Sequence, residues 1–255
     1  MTKIMGIINV TPDSFWSGSR VQDKATLLER VRFMVSHGAD AIDVGGCSTR
    51  PGAVQASEDE EMERLEWGLE AIRGEFPDLL LSVDTYRPRI AERCIREWKV
   101  DIINDVYGGN DFMYKVLADT GVQYVLMWSE EIKKDPVSEM MSFFEQKLQM
   151  LEKAGVDVSR KVILDPGYGF GKTVGQNYTV LANQRRLCEF GLPVLSALSR
   201  KSMAWKLLGI TPDEALPATV AMNTVAILNG ADWIRVHDVQ EAVQTVRIVQ
   251  AVKDN

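Results

Sequence analysis

The chain predicts an α/β fold, a (β/α)8 (TIM) barrel with its functional site at the C-terminal ends of the strands. Two observations carry that expectation. Eight times, a short apolar run ends in a polar or glycine-rich cluster and leads into a helix-like stretch. The 255 residues also match the usual size of one such barrel, and no linker, low-complexity tract or shift in composition divides them. One domain over residues 1–255 is expected.

In chain order, strands are expected at residues 3–8, 41–44, 79–83, 102–103, 123–127, 162–164, 193–196 and 233–236. Each runs into a cluster. These are Asn9-Val-Thr-Pro-Asp13, residues 43–52, Asp84-Thr85, Asn104-Asp105, Met127-Trp128, residues 165–173, Ser199-Arg-Lys-Ser202 and Arg235-Val-His237. Helices fall between them, for example at residues 24–37, 58–73, 88–97 and 137–153. The second shows Met62, Leu65 and Leu69 among carboxylates, the spacing of one buried stripe. Pro88 suits a first helical turn. The last crossover is doubled, with a short helix at 202–208 and a longer one at 213–229. The small apolar residues of the longer helix predict burial on more than one side.

Composition narrows the function. No apolar run approaches the length of a membrane span, and the N-terminus enters a strand at once. No signal peptide, no membrane association and a cytoplasmic location are therefore expected. A net charge of −7 argues against broad nucleic-acid binding, since no basic stripe is available to neutralise phosphates. Against that acidic background, the cations at strand ends stand out: Arg50, Lys172, Arg200, Lys201, Arg235 and His237. Cys47, Cys94 and Cys188 form no CxxC pair, so neither a disulfide framework nor a zinc site is expected.

Asp84, Asn104 and Asp165 end three different strands, where side chains overlook the barrel mouth. A carboxylate there accepts two parallel N–H groups from the guanidine-like edge of a flat heterocycle. Helix capping is the alternative use of each, but three at one rim favour a ligand site. Ser48-Thr-Arg-Pro-Gly52 and Ser199-Arg-Lys-Ser202 offer hydroxyls, cations and backbone N–H groups to a carboxylate or phosphate. Arg235 and His237 stand two apart on the last strand and face one side. His37, before Gly38, reads as a helix C-terminal cap. The glycines of residues 165–173 satisfy neither the P-loop nor the dinucleotide fingerprint, and suit close passage of backbone past a flat ligand, with Phe170 as an apolar wall or a packing residue. No nucleophile–base pair, metal-ligating histidine pair or glycosidase-like acid pair is evident.

Asn9-Val-Thr-Pro-Asp-Ser-Phe15, Ser-Thr-Arg-Pro-Gly52, Asp84-Thr-Tyr-Arg-Pro88, Ile103-Asn-Asp-Val106, Asp165-Pro-Gly-x-Gly-Phe-Gly-Lys172, Ser199-Arg-Lys-Ser202 and Arg235-Val-His-Asp238 occur in this order along the whole chain. Together they resemble the dihydropteroate synthase family. The resemblance implies a (β/α)8 barrel that condenses 6-hydroxymethyl-7,8-dihydropterin pyrophosphate with p-aminobenzoate, giving 7,8-dihydropteroate and pyrophosphate in folate biosynthesis. It implies that Asp84, Asn104, Asp165, Lys201 and Arg235 hold the pterin, and that Asn9, Arg50, Arg235 and His237 hold pyrophosphate. It implies that Thr49, Pro51, Phe170 and Ser202 line the p-aminobenzoate pocket and that Mg2+ binds at Asn9. Asp84, Arg50, Lys201, Arg235 and His237 become the catalytic candidates, and sulfonamides and a homodimer are implied as well.

The resemblance also implies a mechanism. The bond from the exocyclic methylene to pyrophosphate breaks first, carboxylates steady the pterin cation, and cations and Mg2+ steady the leaving group. The chain departs from the family pattern at Trp16, Ser17, Cys47, Trp128 and Met203, none of which carries an implied contact. A pterin-binding methyltransferase would share the acids but has no need of Ser-Thr-Arg-Pro-Gly or Ser-Arg-Lys-Ser. A non-catalytic pterin binder would have lost the anion ligands, and a generic phosphate-binding barrel leaves Asp84, Asn104 and Asp165 unexplained.

Overall fold

The computed structural model describes residues 1–10, 23–47 and 56–255. Eight parallel strands are β1 (Lys3–Asn9), β2 (Ala41–Gly45), β3 (Leu80–Asp84), β4 (Ile102–Asp105), β5 (Gln123–Met127), β6 (Val162–Asp165), β7 (Leu195–Ser196) and β8 (Trp233–Val236). They pair in the order β6-β5-β4-β3-β2-β1-β8-β7. A single bridge between Leu164 and Val194 joins the two ends, beside a 2.8 Å bond from the Leu164 N–H to the Pro193 carbonyl. The expected barrel is therefore present, with its thinnest seam between β6 and β7. β7 is shorter than the expected 193–196; Pro193, the first residue of that run, has no N–H to give a neighbouring strand.

Outside the barrel lie α1 (Lys24–Ser36), α2 (Glu58–Glu75), α3 (Pro88–Trp98), α4 (Asp111–Thr120), α5 (Pro136–Lys153), the single turn α6 (Val158–Lys161), α7 (Val174–Ala182), α8 (Ser202–Leu208), α9 (Leu216–Leu228) and α10 (Val239–Lys253). Their ends follow from local chemistry. His37 closes α1, its backbone N–H donating to the Phe33 carbonyl. Ser57 and Glu60 form a reciprocal capping box at the start of α2, where four acids meet the positive end of the helix dipole. Pro88 occupies the first turn of α3 as expected. α9 packs against α10 and against α7 and α8, burying Thr219, Met222, Asn223, Ala226 and Ile227, while Val225 and Leu228 are exposed. No helix among the described residues is long and apolar enough to cross a membrane.

The core has two parts. Met5, Ala41, Ile102, Val125, Ile163, Leu195 and Trp233 fill the barrel interior, and a larger shell lies between strands and helices. Strand side chains alternate with a period of two. Stepping two residues from Ala41, Ile102, Ile163 and Trp233 gives Asp43, Asn104, Asp165 and Arg235; four from Met5 gives Asn9. Asp84 pairs in register with Gly45 and Asn104. The alternation that packs the interior thus sets one layer of polar groups over it, at the C-terminal mouth.

Candidate active site

Arg235 lies at the centre of that layer. Its Nε donates to Asp43 Oδ2 at 2.6 Å, and one terminal nitrogen donates to Asp84 Oδ2 at 2.9 Å. Asn104 Nδ2 also donates to Asp43 Oδ2, at 3.1 Å. These bonds leave Asp43 Oδ1, Asp84 Oδ1 and Asn104 Oδ1 buried without a hydrogen-bond partner. A buried acceptor left unpaired costs about 1–3 kcal/mol. Of the three, Asp84 and Asn104 line the adjoining cavity, where a ligand that brings N–H groups would meet them.

The small cavity beside them is lined by Asp84, Asn104, Val106, Met127, Asp165, Gly167, Phe170, Lys201 and Arg235, among others. The backbone N–H of Gly167 fixes Asp165 Oδ1 at 2.7 Å. Lys201 Nζ lies 4.4 Å from the centre of the Phe170 ring. Asn9 Oδ1 lies close to Gly45, where an added Cβ would stand 3.1 Å from it. Ser202 opens the seven-residue α8, half-buried.

The charge states follow from burial. Asp84 is pushed up to about 7 by loss of solvent, with Arg235 opposing the shift and the Asp43 carboxylate adding to it. Burial likewise raises Asp165, while the Gly167 N–H and Lys201 pull it back. Lys201 is pulled down to about 8 by burial, against the attraction of Asp165. For Arg235, burial disfavours the charge, but Asp43 and Asp84 outweigh it and hold the guanidinium above its ordinary value.

The structure adds detail to four of the basic side chains at the strand ends. Arg235 is held in ion pairs with Asp43 and Asp84. His237 is no cation: burial, then Arg235, Arg200 and Lys201, depress it to about 3, so the imidazole is neutral. Arg200 is structural. It pairs with Asp238 at 2.9 Å and donates to the carbonyls of Pro212 and Asp213, tying the β7–α8 loop to the loop after β8. Lys172 is directed at backbone rather than at the cavity, donating to the carbonyls of Trp128, Gly167 and Phe170.

Thr49, Arg50 and Pro51 lie outside the described residues. Of their surroundings, Arg64 donates to the Gly46 carbonyl at 3.2 Å, and Arg87 to those of Ala56 and Ser57 at 2.6 and 3.1 Å. Arg87 also pairs with the buried Glu61, which accepts the Thr85 hydroxyl at 2.7 Å. The backbone after Asp84 is in this way joined to the backbone at Ala56. Asp43 is the site residue that sequence reasoning missed. Its signal was an acid inside an otherwise apolar strand, with the same parity as Gly45.

A family profile described as pterin binding enzyme matches residues 5–237. The dihydropteroate synthase of Escherichia coli strain K12 is 38% identical over 97% of this chain and 90% of that protein. The dihydropteroate synthase of Bacillus subtilis strain 168 is 37% identical over 98% and 88%. The chain belongs to the dihydropteroate synthase family. It is accordingly an enzyme, a transferase of folate biosynthesis. Among solved structures, that of the Yersinia pestis dihydropteroate synthase with a sulfonamide drug superposes with a TM-score of 0.95 at 36% identity, covering 100% of this chain and 95% of that one. The Xanthomonas albilineans dihydropteroate synthase with 4-aminobenzoic acid gives a TM-score of 0.91 at 36% identity, over 99% and 93%.

Proposed function

We propose that residues 1–255 act as one unit that condenses 6-hydroxymethyl-7,8-dihydropterin pyrophosphate with p-aminobenzoate, by a mechanism in which pyrophosphate departs before the amine attacks. The observation that carries this reading is the pair of unpartnered acceptors in the cavity beside Arg235, Asp84 Oδ1 and Asn104 Oδ1. A pterin edge supplies the N–H donors they lack, and Asp165 accepts from the same edge. Lys201, with three donors, serves the ring carbonyl and ring nitrogen.

The chemistry is then electrostatic. As the bond between methylene carbon and oxygen breaks, its electron pair leaves with pyrophosphate and positive charge spreads into the ring. Asp84 and Asp165, already buried, face that developing charge without having to reorganise. Arg50, Asn9 and Arg235 hold the departing anion, with His237 as a neutral hydrogen-bond partner. The amine lone pair of p-aminobenzoate forms the new C–N bond, and its proton passes to solvent. Phe170, Thr49 and Pro51 flank the aminobenzoate ring, and Ser202 meets its carboxylate.

Mg2+ belongs to the same reading. By the family resemblance Asn9 would hold it through its amide oxygen; among the described residues no group of three His, Cys, Asp or Glu side chains could hold a metal. That fits an ion that keeps several waters and binds mainly through substrate phosphates. Its contribution when bound is to neutralise charge on the leaving group.

The exposed apolar side chains Val225 and Leu228 on α9, with Ile248 and Val252 on the adjoining α10, support a homodimer through this face; a cytoplasmic location is part of the same proposal. The decisive experiment follows pyrophosphate release from dihydropterin pyrophosphate with Mg2+, with and without p-aminobenzoate. Multiple-turnover release that requires p-aminobenzoate is expected; steady-state release indifferent to it would overturn the assignment.

A further inference from the structure

Lys172 remains unexplained by these roles, although it ends the glycine-rich loop beside the cavity. Its ammonium uses all three donors on backbone: the Trp128 carbonyl at 3.1 Å, Gly167 at 3.0 Å and Phe170 at 3.0 Å. It also lies 4.1 Å from the centre of the Trp128 ring, so one face of the charge is covered by an aromatic surface. The first carbonyl belongs to the loop after β5, the other two to the loop after β6.

These two loops meet at backbone distance. A Cβ on Gly167 would stand 1.9 Å from the Trp128 carbonyl oxygen, and one on Gly171 would stand 2.3 Å from that of Glu130. Gly167, Gly169 and Gly171 all take the left-handed backbone conformation, at φ +66°, +83° and +58°. A loop so rich in glycine has many conformations to lose, and carbonyls turned toward one point repel one another. The Lys172 N–H donors at that point remove both difficulties; burial pulls the ammonium down to about 7, and the Asp165 carboxylate favours it against that shift.

We propose that Lys172 is a positioning residue for the second-substrate pocket, holding the Phe170 wall in place through the carbonyls of Gly167, Phe170 and Trp128. The inference rests on the assignment of Phe170 to the p-aminobenzoate pocket made above. Two side chains hang on this loop, and they depend on it unequally. Asp165 ends β6 and is fixed by its strand and by the Gly167 N–H. Phe170 stands five residues beyond the strand. Its own N–H donates to the Gly167 carbonyl at 3.1 Å, and its carbonyl is one of the three that Lys172 gathers. The Phe170 ring in turn lies against Lys201. Loss of the ammonium therefore frees the aminobenzoate wall while leaving the pterin acids on their strands.

The test compares wild type with Lys172→Met, which keeps the length of the side chain but no donor, and Lys172→Gln, which keeps an amide donor. The readouts are KM for p-aminobenzoate, kcat, and dihydropterin pyrophosphate affinity by calorimetry. We expect KM to rise roughly 10-fold or more in Lys172→Met and less in Lys172→Gln, with pterin affinity within about threefold of wild type. An unchanged KM in both variants, a parallel loss of pterin affinity, or failure of both variants to fold would overturn the proposal. Wild type reports separately on the assignment beneath it: steady-state pyrophosphate release indifferent to p-aminobenzoate would refute the function, whatever the variants do.

Discussion

Asp43→Asn offers the sharpest probe of the charge network. Asp43 is fully buried and receives Arg235 and Asn104 on one oxygen, while its other oxygen has no hydrogen-bond partner. The amide keeps one acceptor but removes the charge. Bonds to a charged group are worth about 1 kcal/mol more than neutral ones, so two donors lose roughly 2 kcal/mol. The new NH2 occupies the place of Oδ1, and a buried donor without a partner costs about 1–3 kcal/mol. Relief of the repulsion between Asp43 and Asp84 offsets part of this. The net expectation is a loss of about 2–3 kcal/mol, or roughly 5–10 °C in Tm for a chain of this length. The Asp84 pKa also moves, falling from about 7 because the Asp43 charge that raises it is gone. Thermal unfolding reads the first effect and NMR titration of the Asp84 carboxyl the second. A Tm within about 2 °C of wild type, with Asp84 unmoved, would refute the picture of Arg235 as a cation held by two acids.

Other outcomes test separate parts. Asp165→Asn is expected to cripple pterin binding, because an amide cannot accept from two ring N–H groups; unchanged affinity in calorimetry counts against its placement. Arg50→Ala should lower turnover while leaving pterin binding largely intact, and equal loss of both would make Arg50 structural. Arg200→Met leaves Asp238 without its buried partner, and about 3–5 kcal/mol of stability should go with it; a loss below about 1 kcal/mol in denaturant unfolding refutes the bracing role. Between pH 3.8 and about 7 the folded chain keeps a proton on Asp84 that the unfolded chain releases, so this group's contribution to stability falls as pH rises through that window. His237, depressed to about 3, acts with the opposite sign, so the effect is read as the difference between wild type and Asp84→Asn. Parallel stability curves for the two proteins would contradict a raised Asp84.

Much of the fold was legible because each strand announces its own end. Asp84, Asn104, Asp165 and Arg235 could be picked out as the last inward positions of their strands, and the period of two that packs Ile102, Ile163 and Trp233 is visible in sequence. Asp43 was not recognised as a site residue, since nothing local says that an acid inside an apolar strand meets an arginine 192 residues away. The cations were the harder case. Lys172 and Arg200 sit in motifs full of anion-binding residue types, yet their partners are the Trp128 carbonyl and Asp238, at separations of 44 and 38 residues. A motif gives the charge; only the folded neighbourhood says whether a ligand or the protein answers it. The same limit applies to His237, whose neutrality comes from burial first, then from Arg235 on the strand it follows and from Arg200 and Lys201 after β7.

The lone bridge between Leu164 and Val194 carries one more implication. Asp165 stands on one bank of that gap and Lys201 on the other, so a heterocycle gripped by both would lie across it like a rivet. Substrate would then complete the cylinder that backbone alone fastens most lightly. Amide hydrogen exchange near residues 164 and 194 should slow on pterin binding more than exchange at the β1–β2 pairing, where the ladder is already long.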